Sequence, residues 1–186
     1  VADLKPPSFT GEELMAIARP AGVRRVVLIQ HNGYHGFDNS YLVDAWKAHP
    51  DRYRVVGMVD SRAPGAGKKM RGLHKTGVTG FRITPSRLGT EWLDTSGMAE
   101  MWNTAADTGQ AMCGLINPSD LPGIDAMCRK HPDTPVVIDH FARIGVDGNI
   151  RKKDLDNLCG LAKYRKTHVK ISAYYALGKK KPPYDD

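Results

Sequence analysis

The chain has 186 residues, 41% of them hydrophobic, with a mean hydropathy of −0.42. That composition suits a soluble globular domain with room for a sizeable core, and no apolar run approaches the roughly 20 residues a membrane-spanning helix needs. The net charge of +7 is uneven: residues 151–186 hold ten Lys/Arg and four Asp, a net +6, which leaves +1 for residues 1–150. A basic end raises nucleic acid as a partner. The cations are not interleaved with aromatics in a stacking pattern, so a solvated helix face and a lysine-rich loop are expected instead, with no nucleic acid and no membrane as partners. Cys113, Cys128 and Cys159 are odd in number and lack CxxC spacing, the pattern of small buried thiols in a reduced, cytoplasmic protein. No secretory leader is visible, and the chain opens on Val1 rather than Met, as a processed or partial sequence would.

Thr10 starts the first helix, with Glu13 three residues on in a capping-box pattern. Six short apolar segments follow, over residues 25–30, 54–60, 80–84, 110–116, 135–140 and 167–172. Amphipathic stretches lie between them: residues 40–48 behind Asp38 or Asn39, residues 97–108 behind Ser96, a stretch to Arg129 behind Ser119 or Asp120, and residues 152–164. Most end in a loop carrying Gly or Pro, such as Ala21-Gly22, His49-Pro50 and Thr108-Gly109. Strands alternating with helices at this spacing make βα units and a parallel sheet.

A doubly wound sheet and a (β/α)8 barrel both fit that pattern. No GxGxxG follows the first strand, where a nucleotide-binding sheet places its phosphate loop. Polar groups instead end nearly every strand: Gln30-His31-Asn32, Asp60-Ser61-Arg62, Arg82 and Thr84, Asn117, Asp139-His140 and Ser172. A polar ring at one end of all strands is what a barrel active site requires. The expected fold is therefore α/β, an incomplete (β/α)8 TIM barrel of six βα units, in a single domain over residues 1–186.

The stretch Pro135-Val-Val-Ile-Asp-His-Phe-Ala-Arg143 is the most informative. A histidine at the end of a buried parallel strand stands where such barrels keep their chemistry. Alternation puts His140 on the face of Val136 and Ile138 and Asp139 on the other. With His140 facing the lumen, Asp139 points to the helices and caps or pairs with a Lys or Arg. Arg143, one short turn on, is placed to bend over the mouth as a fork for a substrate carboxylate. Arg82, flanked by Phe81 and Ile83, needs a partner or a polar lumen and is read as an anion anchor, with Arg87 a weaker second. One of Gln30, His31 and Asn32 is expected to line the site. His31 and His35 have ligand spacing only on a helix, and Gly33 and Gly36 predict a loop. His49, His74, His131 and His168 are read as structural, and Lys170 as either a buried pair partner or a site residue. Ser172, Tyr174 and Tyr175 close the last strand.

The nonapeptide resembles the strand-end motif of amidohydrolase-related proteins, in particular the group that includes 2-pyrone-4,6-dicarboxylate lactonase. Val27-Leu-Ile-Gln30 with Asp38-Asn39, Gly80-Phe-Arg82 and Val169-Lys-Ile-Ser172 are similar to it too. The resemblance implies a metal-dependent hydrolase barrel in which a His-x-His ends the first strand, a histidine ends a later one and an aspartate ends the eighth. The six segments correspond to strands two to seven, with the domain truncated at both ends. His140 is then a catalytic residue and a metal ligand, and Arg82, Arg143, Gln30, Asn32, Ser172 and Tyr175 are substrate-binding candidates. The implied cofactor is a divalent metal, zinc or manganese, with metal-independent catalysis as the alternative. The implied partner is a small-molecule carboxylate substrate. Relatives that bind dicarboxylates carry an arginine in the loop corresponding to Ser172–Leu177, and this one has none.

The function implied is hydrolysis of a lactone or similar carbonyl ester. The alternatives are a metal-dependent decarboxylase of the same superfamily and a non-catalytic α/β module that binds an anionic partner. With the His-x-His and the eighth-strand aspartate both missing, the 186-residue polypeptide alone is expected to be inactive; weak lactonase activity in it would contradict that expectation.

Overall fold

The structure is a computed structural model that describes residues 9–85 and 92–184. The first helix, α1 (Gly11–Ala18), opens with the expected capping box: Thr10 Oγ1 accepts from the Glu13 amide, and the Glu13 carboxylate accepts from the Thr10 amide. Six strands follow, β1 (Val26–Ile29), β2 (Tyr53–Gly57), β3 (Val78–Ile83), β4 (Ala111–Gly114), β5 (Val136–Ile138) and β6 (Thr167–Val169). They lie in chain order in one wholly parallel, curled sheet, the partial barrel expected. The intervening helices are α2 (Asn32–His35), α3 (Ser40–Ala48), α4 (Ala66–His74), α5 (Ser96–Thr108), α6 (Leu121–Lys130) and α7 (Lys152–Gly160).

Several helix starts differ from the sequence reading. Thr95, not Ser96, caps α5, accepting from the Met98 amide. Asp120 does not cap α6; its carboxylate reaches back to the Asn117 amide and closes a 3₁₀ turn over Pro118–Asp120. The last predicted helix stops at Gly160 and tightens into a 3₁₀ turn, Leu161–Lys163. The loop expected around Gly33 is one helical turn, α2, in which the His31 ring meets Tyr34 and His35 stacks on Tyr41.

The helices cover the convex face of the sheet. Val55, Phe81, Met112, Val136 and Ile138 point outward from the strands into a core completed by Met70, Trp102, Ile124 and Leu161. Each such side chain contributes about 1.5–3 kcal/mol on burial. Gly97 lets the start of α5 press against the preceding strand-end loop, because a Cβ there would overlap the Ser61 carbonyl. The concave face is set by register: Val27, Val56, Gly80, Ala111, Cys113 and Val137 line a cavity of about 520 Å³. A register shift between Val55 and Val56 marks a bulge in the β2–β3 pairing. No helix among the described residues is long and apolar enough to cross a membrane. Cys113 and Cys128 are buried free thiols, whereas Cys159 is exposed on α7.

Asn39 holds the N-cap position of α3, but its buried side chain makes no capping hydrogen bond. Its Oδ1 accepts from the Met58 amide at 2.8 Å, and its Nδ2 donates to the Phe37 and Met58 carbonyls. This buried amide locks the β1–α3 connection onto the end of β2. Asn39→Ala strands the buried Met58 amide and carbonyl, so urea unfolding is expected to show a loss of about 2–3 kcal/mol; a loss within 0.5 kcal/mol, about that of a surface substitution, would contradict the role.

Candidate active site

Because all six strands are parallel, their C-terminal ends share one edge, and the strand-end polar residues gather there. At its centre is Asp139. Val136 and Ile138 face the helices, so alternation places Val137 and Asp139 on the concave face. The expected orientation of Asp139 is thus reversed, while its expected pairing is found. Its carboxylate, 3% exposed, accepts from Arg82 Nη2 at 3.2 Å and lies 3.5 Å from Lys170 Nζ. The register aligns Arg82 with Cys113, Cys113 with Val137, and Val137 with His168, so Arg82 and Lys170 extend from the same face of β3 and β6. Cys113 lies beside this cluster, and burial, with the Asp139 charge adding to it, pushes its thiol up to about 12. At neutral pH it is an inert thiol rather than a nucleophile.

His140 leaves the strand alternation. The chain turns left-handed over four residues, with φ of 54°, 52°, 54° and 57° at His140, Phe141, Ala142 and Arg143. None is glycine, and this conformation costs roughly 1–2 kcal/mol per residue. The turn is held by burial of Ala142 and Ile144, by the Ile144 amide on the Phe141 carbonyl, and by the Gly178 amide on the Gly145 carbonyl at 2.8 Å. It swings the His140 ring to the end of β6, where Nδ1 lies 2.8 Å from Ser172 Oγ. Burial lowers the His140 pKa, against the opposing pull of Asp139, which favours the neutral imidazole. The same turn sends Arg143 sideways: Nη1 donates to Asn117 Oδ1 at 3.2 Å, and the guanidinium borders a cleft of about 600 Å³ with Ser119, Arg151 and Lys153.

Arg82 borders a different cavity, of about 170 Å³, with Asn32, Asp60, Arg62 and Thr84. Arg62 is occupied there by Asp60 at 3.0 Å. Arg82, 14% exposed, keeps a buried Nε with no hydrogen-bond partner. The structure therefore brings together His140 with Ser172, and Arg82 with Asn32. Gln30 is 2% exposed, and its Nε2 is spent on the Gly36 and Asp38 carbonyls, so it shapes the loop beneath the site rather than meeting a ligand. Tyr175 is 74% exposed and projects into solvent. Arg87 lies outside the described residues. The sequence reading gave Asp139 its ionic pairing but the wrong face of the strand, and left Lys170 undecided. The usable signal was charge complementarity: a guanidinium inside an apolar strand demands a carboxylate at the same height on a neighbouring strand.

The family model for amidohydrolases matches residues 3–186. The chain belongs to the amidohydrolase family. Among curated relatives of this amidohydrolase, 4-sulfomuconolactone hydrolase from Rhizobium radiobacter is 27% identical over 183 residues, covering 97% of this chain and 60% of that protein. L-Fucono-1,5-lactonase from Burkholderia ambifaria is 24% identical over 169 residues, covering 90% of this chain and 58% of that protein. The chain thus spans about three fifths of the length of both. Of the solved structures, a probable 2-pyrone-4,6-dicarboxylic acid hydrolase from Acinetobacter baumannii with citric acid bound superposes with a TM-score of 0.79 at 20% identity, over 93% of this chain and 63% of that one. A Burkholderia multivorans amidohydrolase with bound zinc gives 0.78 at 17%, over 92% and 62%. These likenesses establish the barrel fold.

Ser172→Ala removes the partner of His140 Nδ1. Stability is expected to fall by roughly 1 kcal/mol, and ¹⁵N spectra of the imidazole should change from one neutral tautomer to a mixture. An unchanged tautomer would mean that Ser172 does not fix the ring.

Proposed function

We propose that these residues are part of a lactone hydrolase acting on a small molecule that bears a carboxylate. The observation that carries the reading is His140: its ring stands at the C-terminal edge of a parallel barrel sheet, with one nitrogen fixed by Ser172. When Nδ1–H donates to Ser172 Oγ, Nε2 keeps a lone pair. That tautomer suits a metal ligand or a base, because the hydrogen bond at one ring nitrogen sets the role of the other.

Zinc is bound in one solved relative and manganese in a 5-carboxyvanillate decarboxylase from Novosphingobium aromaticivorans. Among the described residues no group of three or more His, Cys, Asp and Glu converges, and Asp139 is turned to Arg82 and Lys170. His140 fits as one ligand. A bound metal would polarise the lactone carbonyl. Arg82 supports the carboxylate-bearing substrate: its guanidinium borders the smaller cavity, and its buried Nε has no hydrogen-bond partner. Asn32 borders the same cavity and adds a polar group. Both curated relatives above are named as lactone hydrolases, which favours ester hydrolysis over decarboxylation. Arg143 stands with the second cleft and is proposed as a contact for the far end of a longer substrate.

The test is a panel of lactones with and without carboxylates, assayed with the complete product of the gene. Carboxylate-bearing lactones should open and benzoate-type acids should not lose CO₂. His140→Ala should cost about 10²-fold or more in kcat, whereas Arg82→Met should raise KM about tenfold with kcat nearly unchanged. Decarboxylation without lactone opening, or a His140→Ala enzyme as fast as wild type, would overturn the reading.

A further inference from the structure

Asp139 is a carboxylate that no step of the proposed reaction uses, and it is among the most buried polar groups of the sheet. One oxygen takes Arg82 Nη2 and the other faces Lys170 Nζ. The three groups come from three different strand ends and sum to one net positive charge. They also join two spaces, since Arg82 borders the 170 Å³ cavity whereas Asp139 and Lys170 border the 520 Å³ one. At the smaller cavity Arg62 is neutralised by Asp60, whereas Arg82, whose buried Nε has no hydrogen-bond partner, shares its carboxylate with Lys170.

We propose that Asp139 is a positioning residue that aims Arg82, that Lys170 balances the Asp139 charge so that Arg82 stays available, and that the trio takes a single carboxylate of the substrate. This rests on the lactone-hydrolase reading for the carboxylate's being part of a substrate. A guanidinium tied at one Nη is held in plane and loses less freedom when its remaining edge meets a carboxylate. Without Lys170, the same carboxylate would cancel Arg82 and repel an incoming anion.

The proposal separates from simple electrostatics by sign. Asp139→Asn raises the local charge from +1 to +2, and Lys170→Met lowers it to zero. Net charge alone predicts tighter anion binding in the first and weaker in the second; positioning with charge balance predicts weaker binding in both. The probe is propionate, with succinate at equal ionic strength as comparison, titrated into the 186-residue chain while the Arg82 Nε–H resonance is followed by NMR.

Wild type should show a saturable shift at Arg82, with succinate bound within about threefold of propionate. Each variant should bind propionate about tenfold more weakly, the scale of one charged hydrogen bond. Tighter binding by Asp139→Asn, unchanged binding by Lys170→Met, succinate preferred by tenfold or more, or no shift at Arg82 in wild type would each overturn the proposal. If Asp139→Asn does not fold, Asp139→Glu decides: it keeps the local charge at +1 but displaces the carboxylate by one methylene, so net charge alone predicts unchanged propionate binding and positioning predicts binding about tenfold weaker. The titration involves no turnover. A chain that binds as expected while the complete gene product opens no lactone would remove the hydrolase reading and leave the positioning role standing.

Discussion

A carboxylate taken out of water must be repaid by charges or donors close by, and Asp139 is where this sheet meets that demand. Its neighbours along β5 are Val137 and Ile138, which offer nothing polar from their side chains, so the compensation comes from Arg82 and Lys170 on other strands. The consequence is structural as well as chemical. β3 and β6 are three strands apart in the order, and this ion cluster ties their C-terminal ends across the concave face. It sets Arg82 beside one cavity, next to the Cys113 thiol that burial, with the Asp139 charge adding to it, pushes up. Such clusters add little net stability against an apolar alternative, but breaking one member leaves an uncompensated buried charge.

The second constraint is the left-handed turn that follows. A strand that continued past Ile138 would send His140 among the helices on the convex side. Four residues of positive φ turn it instead toward Ser172, and they send Arg143 toward Asn117. The conformational cost is met by the burial of Ala142 and Ile144 on the core side. Strain held by packing directly beside a candidate catalytic histidine is the pattern expected where geometry matters more than economy. The turn therefore separates two side chains in four residues: a ring fixed at the barrel edge and a guanidinium displayed in an adjoining cleft.

The strands were legible because runs such as Val136–Ile138 and Val26–Ile29 are apolar, short and bounded by polar residues, and their spacing demanded crossover helices. The barrel reading followed from the polar strand ends. What the sequence could not show is which face of a strand is which. Alternation says that Asp139 and His140 differ; it does not say which of them faces the lumen, and it lapses altogether once the chain turns left-handed without a glycine to announce it. Polar residues near strand ends posed a similar difficulty. Gln30 and Asn39 have the composition of site residues or caps, yet both are buried latches on backbone groups, and only burial distinguishes a latch from a ligand contact. Arg82 was recognisable because a charge between Phe81 and Ile83 always needs an explanation.

The central claim is that Arg82 and Asp139 form one energetic unit on the concave face. A double-mutant cycle in urea, with Arg82→Met, Asp139→Asn and the double variant, measures that directly. Each single change is predicted to cost about 3 kcal/mol, because Arg82→Met leaves the buried Asp139 with Lys170 alone, 3.5 Å away, and Asp139→Asn leaves the Arg82 guanidinium without a carboxylate. The double variant should recover at least about 1.5 kcal/mol relative to the sum of the singles, the range found for residues in one ion-pair network. Additive losses within about 0.5 kcal/mol would mean that the two side chains do not act together, and would contradict the account.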